Sequence, residues 1–384
     1  MAQPIDRRTF LRRGSRTLGG AAALGVLGPA VLDACSSSSS SSASSSSASA
    51  GATATTAAGS SAAPTTAAAA ANFGSLDFQL PWVKNVESAG EYIADSKGYF
   101  TAAGFSSVNL IAGGPNATPQ ETVVQTKRAL IAVSSLDATS AAISKGANLI
   151  CIGAQYQKNP FCIMSPAAKP IKTPQDMIGK KIGVQAPNDS IWTAFLQANS
   201  IDPSKVTKVP VSFDPTPLTQ GTVDAWFSFI TNEPIALKQK NFDTVTFLLA
   251  DFNYPEVGNA YIVRTDSLQS DRAKVLAAMA ADIKGWLESL GNHQEGADLA
   301  ANKYGQGLDA TEQALESAAQ NLLITAGSAS TNGIFYVAPA DQAANVKTLG
   351  LGGTTVTTDK LFDMTLLDDL FKAHPELKTI PAAG

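Results

Sequence analysis

Residues 149–163 read LICIGAQYQKNPFCI. Two short apolar strands, 149–152 and 161–164, flank a polar turn at 155–160 that carries Tyr156. β-branched residues and cysteines beside Gly, Asn and Pro suit buried strands rather than a helix. The chain on either side alternates strand and helix, and it returns to its first unit near Tyr261. The run is therefore read as one crossover between two α/β lobes, with a cleft beside it. If its two strands pair as a hairpin, Cys151 and Cys162 fall near one another. A disulfide between them is then one expectation, and two small buried apolar side chains the other.

Upstream, residues 77–83 (DFQLPWV) form a strand ending near Trp82, and a helix follows over 88–100. A second strand at 108–111 breaks at Gly113-Gly114-Pro115, and a short helix at 119–127 leads to a strand at 129–134 and a helix at 137–145. That alternation predicts a parallel sheet, whose ligands sit beyond the carboxyl ends of strands. The rule selects Trp82, Lys84 and Asn85 after the first strand, and Ser135 and Asp137 after the third. Asp137 has a rival role as a helix cap.

Downstream, Thr173-Pro174-Gln175-Asp176 has the signature of a helix start. A strand at 182–184, a helix at 191–199 and strands at 206–211 and 245–249 make a second α/β unit. Its strand-end loops offer Asn188, Ser190, Phe213, Asp214, Asn232 and Glu233. The crossover turn adds Gln155 and Tyr156. From Ser270 onward the apolar residues recur at helical spacing, so the segments 271–290, 310–323, 340–349 and 366–372 are expected to be structural helices without chemistry.

The N-terminus reads as an address. Arg7-Arg8-Thr9-Phe10-Leu11, a short apolar stretch and Leu32-Asp33-Ala34-Cys35 resemble a twin-arginine export signal with a lipobox, with Cys35 as the lipidated residue. Residues 36–71 are almost wholly Ser, Ala and Thr, a tether with a root-mean-square reach of about 30 Å. Removing residues 1–34 takes away five arginines and two aspartates, moving the formal charge from −4 to −7. An acidic surface without basic runs argues against nucleic acid as a partner. The chain has 2 histidines, His293 and His374, and no Cys/His spacing for a metal, so no metal and no cofactor is expected. The expected division is signal 1–35, linker 36–71, first lobe 72–163, second lobe 164–258, and a return to the first lobe with C-terminal helices over 259–384.

Several strings together resemble the substrate-binding proteins of ABC importers in the thiamine-pyrimidine and sulfonate group, nearest to the aminopyrimidine and riboflavin binders. They are Trp82 with residues 87–100 (ESAGEYIADSKGYF), Gly113-Gly114-Pro115, residues 155–161, residues 171–184 (IKTPQDMIGKKIGV), Phe213-Asp214-Pro215, residues 221–225 (GTVDA), Thr231-Asn232-Glu233-Pro234 and Leu249-Ala250-Asp251. The likeness spans residues 78–371. It implies a type II periplasmic binding protein, a two-lobed α/β clamshell with two crossover segments. Such a protein would be a monomer, held to the membrane through its lipid anchor only. It would deliver a small molecule to an ABC permease driven by a separate ATPase. The chain has no GxxxxGK[ST] of its own.

The same resemblance reaches fungal pyrimidine synthases, which use a cysteine-rich stretch, a lysine and a histidine. Residues 187–196 hold no cysteine, and no histidine precedes His293, so an enzyme is not expected. The expected ligand contacts are Trp82, Asn85, Ser135, Asp137, Gln155, Tyr156, Asn188, Ser190, Asn232 and Glu233. Aromatics and acids, with no arginine, favour a planar aminated heterocycle: Trp82 stacks, and Glu233 accepts from an amino or ring N–H. Riboflavin, an alkanesulfonate or another small anion are the alternative cargoes, and a sensor domain is the alternative role.

Overall fold

A computed structural model describes residues 71–382. The export signal, Cys35 and all but the last residue of the linker lie outside them. The first lobe begins with β1 (Gly74–Gln79), α1 (Ala89–Ser96), β2 (Phe105–Ile111), α2 (Gln120–Gln125), β3 (Ile131–Ser134), α3 (Leu136–Ser144) and β4 (Leu149–Tyr156). The second holds β5 (Phe161–Pro166), β6 (Lys181–Gln185), α4 (Asp189–Ala198), β7 (Thr207–Val211), β8 (Ala225–Phe229), α5 (Glu233–Gln239) and β9 (Thr244–Leu248). The chain then returns through β10 (Gly258–Arg264) to α6 (Arg272–Gly291), α7 (His293–Leu299), α8 (Ala310–Ile324), α9 (Pro339–Leu351) and α10 (Thr365–Ala373), with shorter helical turns between.

Two five-stranded sheets result, ordered β2-β1-β3-β10-β4 and β7-β6-β8-β5-β9. In each, three parallel strands meet an antiparallel pair. The α/β fold of two lobes joined by two crossovers is the one expected, but the sheets are mixed rather than parallel, because β10 and β5 run antiparallel to their neighbours. β4 and β5 do not form a hairpin. β4 pairs only with β10 among the named strands, while β5 lies between β8 and β9.

The intervening turn is spent elsewhere. The amides of Gln157 and Lys158 both donate to the Leu323 carbonyl in α8, at 3.0 and 3.2 Å, and the Ile230 amide donates to the Pro160 carbonyl at 2.9 Å. Pro160 has no amide, and Asn159 Oδ1 accepts from the Phe161 amide at 2.9 Å. Residues 161–163, assigned to the first lobe on sequence, therefore belong to the second sheet. Cys151 and Cys162 sit in different sheets, fully buried and unbridged, so the disulfide expectation is corrected. Burial pushes the Cys151 thiol up to about 12 and Cys162 above its ordinary range.

The outer edge of β4 is covered rather than open. Ala154 donates to the Phe335 carbonyl at 2.9 Å, and the Asp363 amide to the Cys151 carbonyl at 2.9 Å. Behind the first sheet α1 crosses α6 at a pair of glycines. A Cβ on Gly90 would lie 2.1 Å from the Trp286 ring, and one on Gly285 would lie 2.2 Å from the Gly90 carbonyl oxygen. Such an approach needs residues without side chains. Lys127, just after α2, takes the left-handed backbone (φ 59°) as a lysine.

Candidate functional site

The strand ends of the two lobes face each other beside the crossovers. In the first lobe, the loop after β1 is set by Gly113, whose amide donates to the Trp82 carbonyl at 2.8 Å, and by Gln120 Nε2, which donates to the Pro81 carbonyl at 2.7 Å. Trp82 is half-buried. Its ring meets Phe213 of the second lobe edge-to-face, with centroids 5.1 Å apart, so it lies where the two lobes meet. Asn85 is buried and caps the turn Val86–Ser88, its Oδ1 accepting from the Glu87 amide at 3.1 Å. Ser135 is the N-cap of α3 without a side-chain cap bond. Asp137 lies in the first turn of α3 and reaches across the cleft, where Ser190 Oγ donates to its Oδ2 at 2.8 Å.

The remaining expected residues divide between lining and support. Asn188 Nδ2 donates to Gln185 Oε1 at 2.9 Å, within the second lobe. Tyr156 is fully buried, and its hydroxyl donates to Gln320 Oε1 at 3.0 Å. Gln155, also fully buried, donates to the Glu87 carbonyl at 3.0 Å. Glu233 opens α5, its Oε2 accepting from Ser228 Oγ at 2.9 Å and the Phe229 amide at 3.0 Å. Asn232 Nδ2 donates to Glu316 Oε1 at 3.0 Å. Asp214 accepts from the Thr216 amide at 2.9 Å, as a turn residue does. Trp192 is core.

Four contributors were missed. Glu87 is half-buried, and its Oε1 accepts from Asn259 Nδ2 at 2.9 Å; the same Nδ2 lies 2.9 Å from Gln155 Oε1. Desolvation lifts the Glu87 carboxyl to about 7, against the lowering effect of Asn259. Asn259 holds this place with a left-handed backbone, φ 53°, at the start of the returning strand. Glu316, from a helix expected to carry no chemistry, is buried and raised to about 8, by desolvation first and then by Glu312, Glu87 and Glu233. Its hydrogen bonds join the two lobes: Asn232, beside Glu233, donates to its Oε1, and Gln313, which holds the Val86 amide beside Glu87, donates to its Oε2. Glu256, in the second crossover, is buried and raised to about 8 by desolvation and by Asp137, with Tyr254 donating to its Oε2. In α8 the signal was a buried polar stripe, Gln313, Glu316 and Gln320, at helical spacing.

Among the described residues no group of three or more His, Cys, Asp and Glu side chains is placed to hold a metal, and no helix is long and apolar enough to cross a membrane. Lys158 is paired with Asp251 at 2.6 Å. Where the lobes meet, carboxyl and amide groups lie with the aromatic pair Trp82 and Phe213. Chemically this arrangement suits a ligand that donates N–H groups and has an apolar face.

The family model described as "NMT1/THI5 like" matches residues 85–297. A curated relative, the riboflavin-binding protein RibY of Chloroflexus aurantiacus, is 23% identical over 225 residues, 57% of this chain and 64% of that protein, so the match spans less than two thirds of the relative's length. Among solved structures, the putative periplasmic sulfonate-binding protein SsuA of Methylobacillus flagellatus KT aligns with a TM-score of 0.60 at 12% identity, covering 82% of this chain and 99% of that one. The aliphatic sulphonate binding protein SsuA of Escherichia coli aligns at 0.58 and 17% identity, covering 76% and 91%. These two likenesses establish the two-lobed fold. The chain belongs to the NMT1/THI5-like family.

Proposed function

We propose that this NMT1/THI5-like protein is an extracytoplasmic solute-binding protein that delivers a small planar aminated heterocycle, of the aminopyrimidine type, to an ABC permease with a separate ATPase. Riboflavin is the second cargo to weigh, because the curated relative's name states that ligand. The reading includes twin-arginine export, a lipid anchor at Cys35 and a monomeric body, and it assigns the chain no reaction.

The observation that supports the ligand class is the set of carboxyl and amide groups where the lobes meet: Asn232, beside Glu233, donates to Glu316, and Asn259 donates to Glu87 and Gln155. Oxyanions such as sulfonate or nitrate ask for guanidinium groups or bare helix N-termini. Carboxyls suit amino and ring N–H donors, and Trp82 with Phe213 offers a face for a flat ring.

Calorimetric titration of the purified chain with an aminopyrimidine thiamine precursor, thiamine, riboflavin and a short alkanesulfonate tests the proposal. One heterocycle is expected to bind with a Kd of about 1 μM or tighter, weakened at least about tenfold in Glu233→Ala and in Glu87→Gln. Tight sulfonate binding that ignores both substitutions would overturn the ligand class.

A further inference from the structure

Three of the buried polar side chains on the face that α8 turns inward, Gln313, Glu316 and Gln320, bond to other parts of the molecule. Gln313 Oε1 accepts from the Val86 amide at 2.7 Å, and Gln320 Nε2 donates to the Val86 carbonyl at 2.8 Å, so both polar groups of one residue beside Glu87 are held. Gln320 Oε1 accepts from Tyr156 at the first crossover. Between them, Glu316 takes Gln313 Nε2 on Oε2 at 2.9 Å and Asn232 Nδ2, from the second lobe, on Oε1 at 3.0 Å. Gln313 and Glu316 are about one helical turn apart. The Gln313–Val86 bond thus adjoins Glu87, and the Glu316–Asn232 bond adjoins Glu233. The family match ends at residue 297, before this helix begins.

We infer that Glu316 is a positioning residue, seating the Asn232–Glu233 loop of the second lobe against the first so that α8 sets the gap across which the ligand is held. The inference deepens the binding reading above and rests on it. Gln313 and Gln320 suffice to hold Val86, so Glu316 is not needed for that task. A fully buried carboxyl is costly to desolvate, and an apolar residue of similar size would fill the place more cheaply. What Glu316 adds is the contact with Asn232. Because both hydrogen-bond donors on it are neutral amides, the contact is short-ranged and lost once the lobes part.

Trp82 reports this independently of any ligand, since its ring packs on Phe213 across the same cleft. Acrylamide quenching of the full chain, with a Trp82→Phe chain subtracted to isolate Trp82, reads lobe closure. Glu316→Ala and Asn232→Ala should each raise the Trp82 quenching constant about twofold, and the double substitution should raise it no further, as for two partners of one contact. Glu316→Gln keeps an acceptor oxygen and should restore most of the shielding. Any heterocycle that binds the parent chain should bind Glu316→Ala at least about tenfold more weakly and Glu316→Gln nearly normally. Unchanged quenching in Glu316→Ala, or additive increases in the double variant, would overturn the inference. Should Glu316→Ala not fold, unchanged quenching in Asn232→Ala overturns it alone. If no probe binds the parent, the ligand assignment falls while quenching still decides the role of Glu316.

Discussion

Replacing Glu256 with glutamine removes one buried, titrating carboxyl and nothing else of similar size. Glu256 is 3% exposed in the second crossover, its Oε2 accepts from Tyr254, and desolvation with the nearby Asp137 lifts it from 4.5 to about 8. The folded state therefore keeps this proton after the unfolded chain has lost it. Stability from this group is fully present below about 4.5, declines by about 1.4 kcal/mol per pH unit as pH rises, and levels off above about 8. The full separation is equivalent to about 5 kcal/mol, and water reaching the ionised group is expected to reduce that to about half. Glutamine keeps an oxygen for Tyr254 and has no proton to lose. Urea unfolding at pH 5, 6, 7 and 8 should show the parent and Glu256→Gln chains within about 1 kcal/mol at pH 5, and the variant more stable by about 2 kcal/mol or more at pH 8. Glu87, Asp282 and Glu316 also lie above the ordinary carboxyl range and bend both curves alike, so they drop out of the difference. A stability difference that is the same at pH 5 and pH 8 would refute the reasoning.

Asn259→Ala should cost about 2–3 kcal/mol, combining the left-handed backbone with the loss of the donor shared by Glu87 and Gln155, and Asn259→Gly should recover about 1 kcal/mol of it in the same urea assay. Gly90→Ala forces a methyl group into the Trp286 ring and should destabilise by about 3 kcal/mol or more, seen as a lowered thermal midpoint, whereas Gly98→Ala, which meets no atom within 4 Å, costs only its left-handed strain of about 1 kcal/mol. Cys151 and Cys162 should resist a thiol reagent in native buffer, become reactive together in strong denaturant, and show no mass change on reduction, the outcome a buried unbridged pair requires.

The strands and their alternation with helices were legible because runs such as residues 131–134 and 182–184 are short, apolar and β-branched between turn residues. The crossover at residues 149–163 was located, but its two strands were brought together on sequence nearness alone. Nothing local reveals that the amides of Gln157 and Lys158 go to Leu323, which lies far along the chain. Trp82, Asp137, Ser190, Asn232 and Glu233 came from the strand-end rule, and Trp82–Phe213, Asp137–Ser190 and Asn232–Glu316 all join the lobes. Asn85 and Asn188, selected by the same rule, hold their own loops instead. Glu316 was passed over because apolar spacing marked its helix as core, and polar residues on a core-facing stripe were not weighed. Glu87 sits in a turn whose importance depends on Asn259, and that partnership exists only after the chain has returned.

The position of β10 bears on the order in which the molecule can be assembled. The second sheet is drawn from one uninterrupted stretch, Phe161–Leu248 in extent from β5 to β9, and can be completed as soon as that stretch has left the ribosome. The first sheet cannot. Its fourth strand, inserted between β3 and β4, is Gly258–Arg264, and until it arrives β4 has no strand partner among the described residues. Long-range pairings of this kind form slowly, since the loop they close must be ordered first. The second lobe is thus the natural early unit, and the first closes around it, taking up the strand that also carries Asn259 into the cleft.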